Sequence, residues 1–142
     1  MDEKRRAMIS QLRKESGIAY VACVDEEKYP EVRAMLVLEH DGLKTQLFST
    51  NTSSPKVGCF QMNPHASVYY CDEDHFKGVL FVGRMQVCTD QKTKELLWRD
   101  GFETYYPKGV TDPDYCVLKF TAKRGKFYHG LHSENFSIEE LA

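Results

Sequence analysis

The stretch Phe48-Ser-Thr-Asn-Thr-Ser-Ser-Pro-Lys56, with Asn63-Pro64 after it, carries the side chains best suited to chemistry. A β-rich run ends in hydroxyls, and a helix is expected to start at the Ser54-Pro55 step. Ser54 is a good N-cap type, and Pro55 fits the first helical position because its missing N–H needs no partner. The first turn of such a helix offers free N–H groups and the positive end of the backbone dipole. Lys56 adds a full charge, and Thr50, Ser53 and Ser54 add hydroxyl donors. Together these make a phosphate cradle that is not a Gly-rich loop. They point to a phosphorylated ligand held at a β-barrel edge rather than by an α/β nucleotide fold. The plainer alternative is a solvated lysine beside an ordinary helix start.

Arg33 is the second residue of interest. It sits in the otherwise apolar run Val32-Arg-Ala-Met-Leu-Val-Leu38. A two-residue period puts Arg33, Met35 and Val37 on one face of a strand, and Val32, Ala34, Leu36 and Leu38 on the other. A charge there needs a partner or an opening to water. Either it is an exposed strand-end arginine, or its fork is aimed at an anion. Two cations and a helix terminus would offset a phosphate dianion.

The second half is rich in aromatics: Tyr69, Tyr70, Phe76, Phe81, Trp98, Phe102, Tyr105 and Tyr106. Most suit a core or an interface. A flat ring system would want such an apolar slot, and Trp98 either walls it or anchors its own helix. Nothing argues for hydrolysis. There is no Gly-x-Ser-x-Gly elbow, and Asp72-Glu73-Asp74 reads as a solvated turn. The lack of an evident acid, base or nucleophile suits a protein whose cofactor performs the reaction. No metal site is expected, since His129 and His132 are the nearest approach to ligand spacing. The five cysteines, Cys23, Cys59, Cys71, Cys88 and Cys116, form no Cys-x-x-Cys pair and suggest no disulfide framework.

The elements that must position these residues follow from pattern. Residues 3 to 15 predict a helix, stopped at Gly17. Strands are expected over Ile18 to Val24, Glu31 to Glu39 and Leu43 to Ser49, with His40-Asp41-Gly42 as a hairpin signal. A helix over Ser54 to Met62 ends at Asn63-Pro64. Further strands are expected over Ala66 to Cys71, Lys77 to Cys88, Tyr115 to Thr121 and Lys126 to His129. Gly83 marks a bulge or barrel corner. Thr89 or Asp90 caps a helix reaching Trp98, Phe102 to Pro113 is a loop, and Ser137 opens a short capping-box helix. The 142 residues suit a single domain, residues 1–142. Hydrophobic residues make up 42% and charged ones 28%, a soluble globular balance. A formal charge of -2 with no basic face argues against a nucleic-acid partner. The apolar runs are too short for a membrane helix, and without a leader-like stretch the protein is expected to be cytoplasmic. Few helices separate the strands, which implies a mainly β fold. The expectation is a six- to seven-stranded antiparallel sheet, closed or partly split as a barrel, with short flanking helices.

In order and spacing these segments resemble the pyridoxamine 5'-phosphate oxidase-like split-barrel flavoproteins, in particular their small general-stress-protein branch. Arg33-Ala-Met-Leu-Val-Leu38 looks like the family's flavin-lining strand, and Phe48 to Lys56 like its phosphate loop and helix start. Ala66-Ser-Val-Tyr-Tyr70 and Val79-Leu-Phe-Val-Gly-Arg-Met85 look like the strands behind. Tyr106-Pro-Lys-Gly109 with Asp112-Pro-Asp-Tyr115 is similar to the stress-protein loop. The resemblance implies an FMN-binding split barrel, a two-fold homodimer with flavin at the subunit interface, and oxidoreductase activity on an unidentified small molecule. By position, Arg33 and Lys56 would contact the phosphate, and Ser49, Thr50 and Ser54 would donate near the phosphate and ribityl chain. The backbone of Ala34, Met35 and Leu36 would approach the ring. Gly78 falls where the full-length oxidases carry a ring-side glutamine, and Pro55 where they carry an arginine. Tyr128-His-Gly-Leu-His-Ser-Glu-Asn135 lacks the arginine of the oxidases' substrate segment, which disfavours genuine pyridoxamine phosphate oxidation. The alternatives are a deazaflavin in place of FMN, a non-catalytic flavin or haem module, or a structural dimer with no ligand.

Overall fold

The computed structural model describes residues 3–38 and 42–141; of the expected hairpin signal, His40 and Asp41 lie outside the described residues. Helix α1 (Glu3–Glu15) leads into β1 (Ile18–Val24), β2 (Pro30–Leu36) and β3 (Thr45–Asn51). Helix α2 (Pro55–Met62) precedes β4 (His65–Asp72) and β5 (Lys77–Cys88). Helix α3 (Gln91–Leu97) and two 3₁₀ turns, Phe102–Thr104 and Gly109–Thr111, lead to β6 (Tyr115–His129) and β7 (His132–Ser137). A last 3₁₀ turn covers Ile138–Leu141.

All pairings are antiparallel, in the order β2-β1-β4-β5-β6-β3, with β7 also on β6. The mostly β, seven-stranded architecture is that of a split barrel. Strand β6 is long enough to serve two neighbours on one flank: β3 pairs with residues 115–121 and β7 with residues 124–129. The tail expected as two strands is therefore one, and its return strand β7, too polar to read as a strand, is added. The register of β5 on β6 shifts between Val82 and Gly83. A Cβ on Gly83 would stand 2.0 Å from the Thr121 carbonyl oxygen, so only glycine lets the strands close at this corner.

Two ends of the ladder path, β2 and β3, are not paired with each other among the described residues. That seam is the split in the barrel. Helices α1 and α2 pack on the inner face, where Ile9, Leu12, Val57 and Phe60 join Val21, Val68, Phe81 and Phe120. Polar groups inside it pair with each other: the Tyr70 hydroxyl donates to Gln46 Oε1 at 2.7 Å, and Gln46 Nε2 donates to the Leu43 carbonyl at 2.8 Å. A second core gathers Leu97, Phe102, Tyr106, Tyr115 and Val117, with Trp98 against it.

Candidate functional site

The seam between β2 and β3 opens into a cleft of about 220 Å³. Arg33, Ala34, Met35 and Leu36 line it from β2, Ser49 and Thr50 from β3, and Ser54 and Lys56 from the start of α2. Eight of the sequence-predicted residues thus share one cavity. Among the described residues, edge strand β2 pairs only with β1, so one flank of its backbone has no ladder partner there. Met35 turns into the core while Arg33 stays exposed, with its Cα opposite Val21 of β1.

Ser54 stands at the N-cap position but makes no capping bond. Its hydroxyl instead accepts from Lys56 Nζ at 2.8 Å. The first-turn N–H groups are not closed off by that side chain, and the lysine is folded back over the helix start. Burial first, and the Arg33 charge second, hold the Lys56 ammonium below the usual lysine range. A half-buried lysine repelled by a neighbouring arginine is short of an anion. Beneath it, burial pushes the Cys116 thiol up, opposed by a hydrogen bond with Thr52 and by the Lys56 charge.

Asp114 shapes the hydroxyl loop, and sequence reasoning missed it. Its Oδ1 accepts from the Ser53 N–H at 2.8 Å, and its Oδ2 accepts from Asn51 Nδ2 at 2.9 Å. Its own carbonyl accepts from the Thr52 N–H at 2.8 Å. These bonds hold the Asp114 carboxyl below the usual carboxylate range. The far wall of the cleft is Phe102, Tyr105 and Tyr106. The Tyr106 phenol, raised by burial, hydrogen-bonds with Ser49. Lys94 ties this loop down through its ammonium, which donates to the Asp112 carbonyl at 3.0 Å. The paired tyrosines and the Asp-Pro-Asp segment were visible signals. Their return to the β2–β3 seam depends on the β6 pairing, which no local pattern shows.

Two predicted residues lie elsewhere. Trp98 backs the wall without lining the cleft, stacking edge-on against Phe102 and Tyr115. Gly78 lies on β5, opposite Cys71 and Tyr128. A Cβ on it would fall 2.0 Å from the Tyr69 hydroxyl, so the Tyr69 side chain occupies the space a residue-78 side chain would take. Among the described residues no group of three or more His, Cys, Asp or Glu side chains could hold a metal ion. No described helix is long and apolar enough to cross a membrane.

The family model described as pyridoxamine 5'-phosphate oxidase matches residues 2–129. No curated protein gives a significant match. Among solved structures, the chain is similar to a protein from Clostridium acetobutylicum. That protein is described as related to general stress protein 26 of B. subtilis and of the pyridoxinephosphate oxidase family. The two share 40% identity over 100% of each chain, with a TM-score of 0.91. General stress protein 26 from Bacillus anthracis str. Sterne shares the fold at 16% identity, covering 94% of this chain and 98% of that one, with a TM-score of 0.77. A heme binding protein from Mycobacterium smegmatis does so at 11% identity, covering 98% of this chain and 60% of that one, with a TM-score of 0.74.

Proposed function

The chain belongs to the pyridoxamine 5'-phosphate oxidase family, and from that premise we propose that it is an FMN-binding flavoprotein acting as an oxidoreductase on a small molecule. The observation that carries the reading is the meeting of Arg33, Lys56 and the hydroxyls of Ser49, Thr50 and Ser54 in one cleft at the open start of α2. This donor set fits a phosphate monoester: two cations, hydroxyls, and first-turn N–H groups in a helix long enough to carry a dipole. Bound FMN supplies reversible two-electron chemistry. The chain's own residues bind and orient it. Arg33 and Lys56 grip the phosphate, the free backbone edge of Ala34 to Leu36 faces the ring, and Tyr105 and Phe102 give it an apolar wall.

A homodimer belongs to the same proposal. At about 220 Å³ the cleft is smaller than the roughly 300–1,000 Å³ of usual small-molecule sites. Beside it runs an open apolar stripe, with Ile18 opposite Leu36 and Tyr20 opposite Ala34. Val32 is 67% exposed and Leu36 58%, too much apolar edge to face water alone. A second copy of this chain laid on that stripe covers it and deepens the cleft. A haem reading has less behind it, because no described histidine or cysteine lines the cleft. The segment Tyr128 to Asn135 has no arginine for a second phosphate, so pyridoxamine 5'-phosphate is not the substrate this reading selects.

The test is the visible absorption spectrum of protein purified without added cofactor, followed by FMN titration and reduction with NAD(P)H. A yellow protein that takes up FMN stoichiometrically and turns over supports the full reading. A coloured protein without turnover reduces it to a carrier. A protein that takes up no FMN overturns it.

A further inference from the structure

Behind the Arg33–Lys56 pair lies a second cavity of about 270 Å³, between β1, β2 and the start of α2. Cys23 and Cys59 both line it, together with Arg33, Ser54 and Lys56. Cys23 lies on the inner face of β1, nearly buried, and Cys59 on the half-buried side of α2, which packs against β1. Both are free thiols. They face the same cavity from two elements packed on each other. Neither follows from the phosphate cradle, and the sequence separates them by two strands, β2 and β3, and the start of α2.

We infer that Cys23 and Cys59 form a reversible disulfide when the protein meets a peroxide, making them a redox modification site beside the anion clamp. Cys59, the more exposed thiol, is the point of attack. Its sulfur takes one oxygen from hydrogen peroxide to give a sulfenic acid, and water leaves. The Cys23 sulfur then attacks the Cys59 sulfur, the S–S bond forms, and a second water carries away the hydroxyl and the Cys23 proton. Two thiol sulfurs lose two electrons, and the two peroxide oxygens gain them. Burial, with the neighbouring Cys59 next, pushes the Cys23 thiol up to about 11, so it does not compete for the oxidant as a free thiolate.

The link has a consequence for the clamp, which rests on the phosphate reading above; the disulfide itself does not. Arg33 sits across from Val21 on the strand next to Cys23, and Lys56 lies one turn before Cys59. In the dithiol protein nothing covalent opposes the repulsion between these two cations. A bond from β1 to α2 holds them at fixed spacing before the anion arrives, which is preorganisation.

Peroxide-treated protein, alkylated and digested with chymotrypsin without reductant, tests the assignment by mass spectrometry. The expected product joins the Cys23 peptide, which begins at residue 21 and runs through the resistant Tyr29-Pro30 bond, to residues 49–60; it disappears with dithiothreitol and in Cys59→Ser or Cys23→Ser, and persists in Cys71→Ser. Oxidation of Cys59 to a sulfinic acid without this link, a link between other cysteines, or five unmodified thiols would each overturn it. FMN titration of the same samples reads the consequence. The oxidised protein should bind at least threefold more tightly than the reduced one, with no peroxide effect in Cys59→Ser. Equal or weaker binding by the linked protein removes the coupling to the clamp while leaving the disulfide standing.

Discussion

Replacing Arg33 and Lys56 together by alanine is the perturbation that bears most directly on the cleft. A hydrogen bond to a charged group contributes about 1.5–3 kcal/mol when well shielded. Arg33 is exposed, so solvent screening brings its share toward the roughly 0–1 kcal/mol of surface pairs. Lys56 is half-buried and keeps more of its value. The sum is about 1.5–4 kcal/mol, a loss of FMN affinity of at least tenfold. The two residues also repel each other in the free protein, so the single substitutions are not additive: each removes a contact and relieves a strain. Lys56→Ala alone should leave thermal stability unchanged or slightly raised, because a desolvated, repelled ammonium opposes folding. Fluorescence titration of FMN against the four members of the cycle measures the affinities, and thermal unfolding checks the fold. A double variant that binds FMN within twofold of the parent would remove both cations from the site and refute the reasoning.

Lys56 also sets a pH dependence. Its free-protein pKa lies below the usual 10.5, and a bound dianion would raise it, so binding would take up a proton only at pH values above that depressed pKa. Affinity should therefore be flat at neutral pH and fall as pH rises through the depressed value, by up to about tenfold per pH unit. Lys56→Arg should flatten that fall relative to the parent in the same titration. Asp114, held below 3.8 by the Ser53 and Asn51 bonds, contributes stability above its unfolded pKa that is lost as pH falls through the lower folded one. Asp114→Asn should remove that part of the acid limb in denaturation curves at stepped pH. Gly83→Ala forces a Cβ onto the Thr121 carbonyl and should cost about 3 kcal/mol, a fall in Tm of about 10 °C. Gly58→Ala meets nothing within 4 Å on an exposed face of α2 and should stabilise by about 0.5–1 kcal/mol. Placing Glu at Ile18 and Tyr20 should turn a dimer into a monomer in light-scattering chromatography while circular dichroism stays unchanged.

Local signals carried most of the elements because they rest on local physics. Period and breakers placed β1 over Ile18–Val24 and β5 over Lys77–Cys88 with the bounds later observed. Pro55 and Asn63-Pro64 bracketed α2, and Gly83 marked a real register shift. Where side chains choose between local and distant partners, the pattern fell short. Ser54 has the chemistry of an N-cap, yet its hydroxyl answers Lys56. Ser137 has the form of a capping residue, but its hydroxyl meets Glu140 Oε1 at 3.4 Å beside a 3₁₀ turn. His132–Ser137 is too polar to read as a strand and becomes one only because β6 offers a free flank. Asp114 looks like any loop acid until β6 pairing brings it under residues 51–53.

The position of the cleft follows from the ladder itself. A closed barrel would pair β2 with β3 and satisfy every edge. Here β3 spends its pairing on the first half of β6, and β2 ends the opposite side of the sheet. Among the described residues, the backbone of β2 thereby has no partner on the side of the loop that starts α2, and Arg33 on that edge shares a cleft with Lys56. Filling the seam with a further strand would have improved the sheet and removed the site. The same opening leaves Val32 and Leu36 in water. Among the described residues, one unmade strand pair thus accounts for the cleft and the uncovered apolar stripe. Any perturbation that closes the seam should change both together.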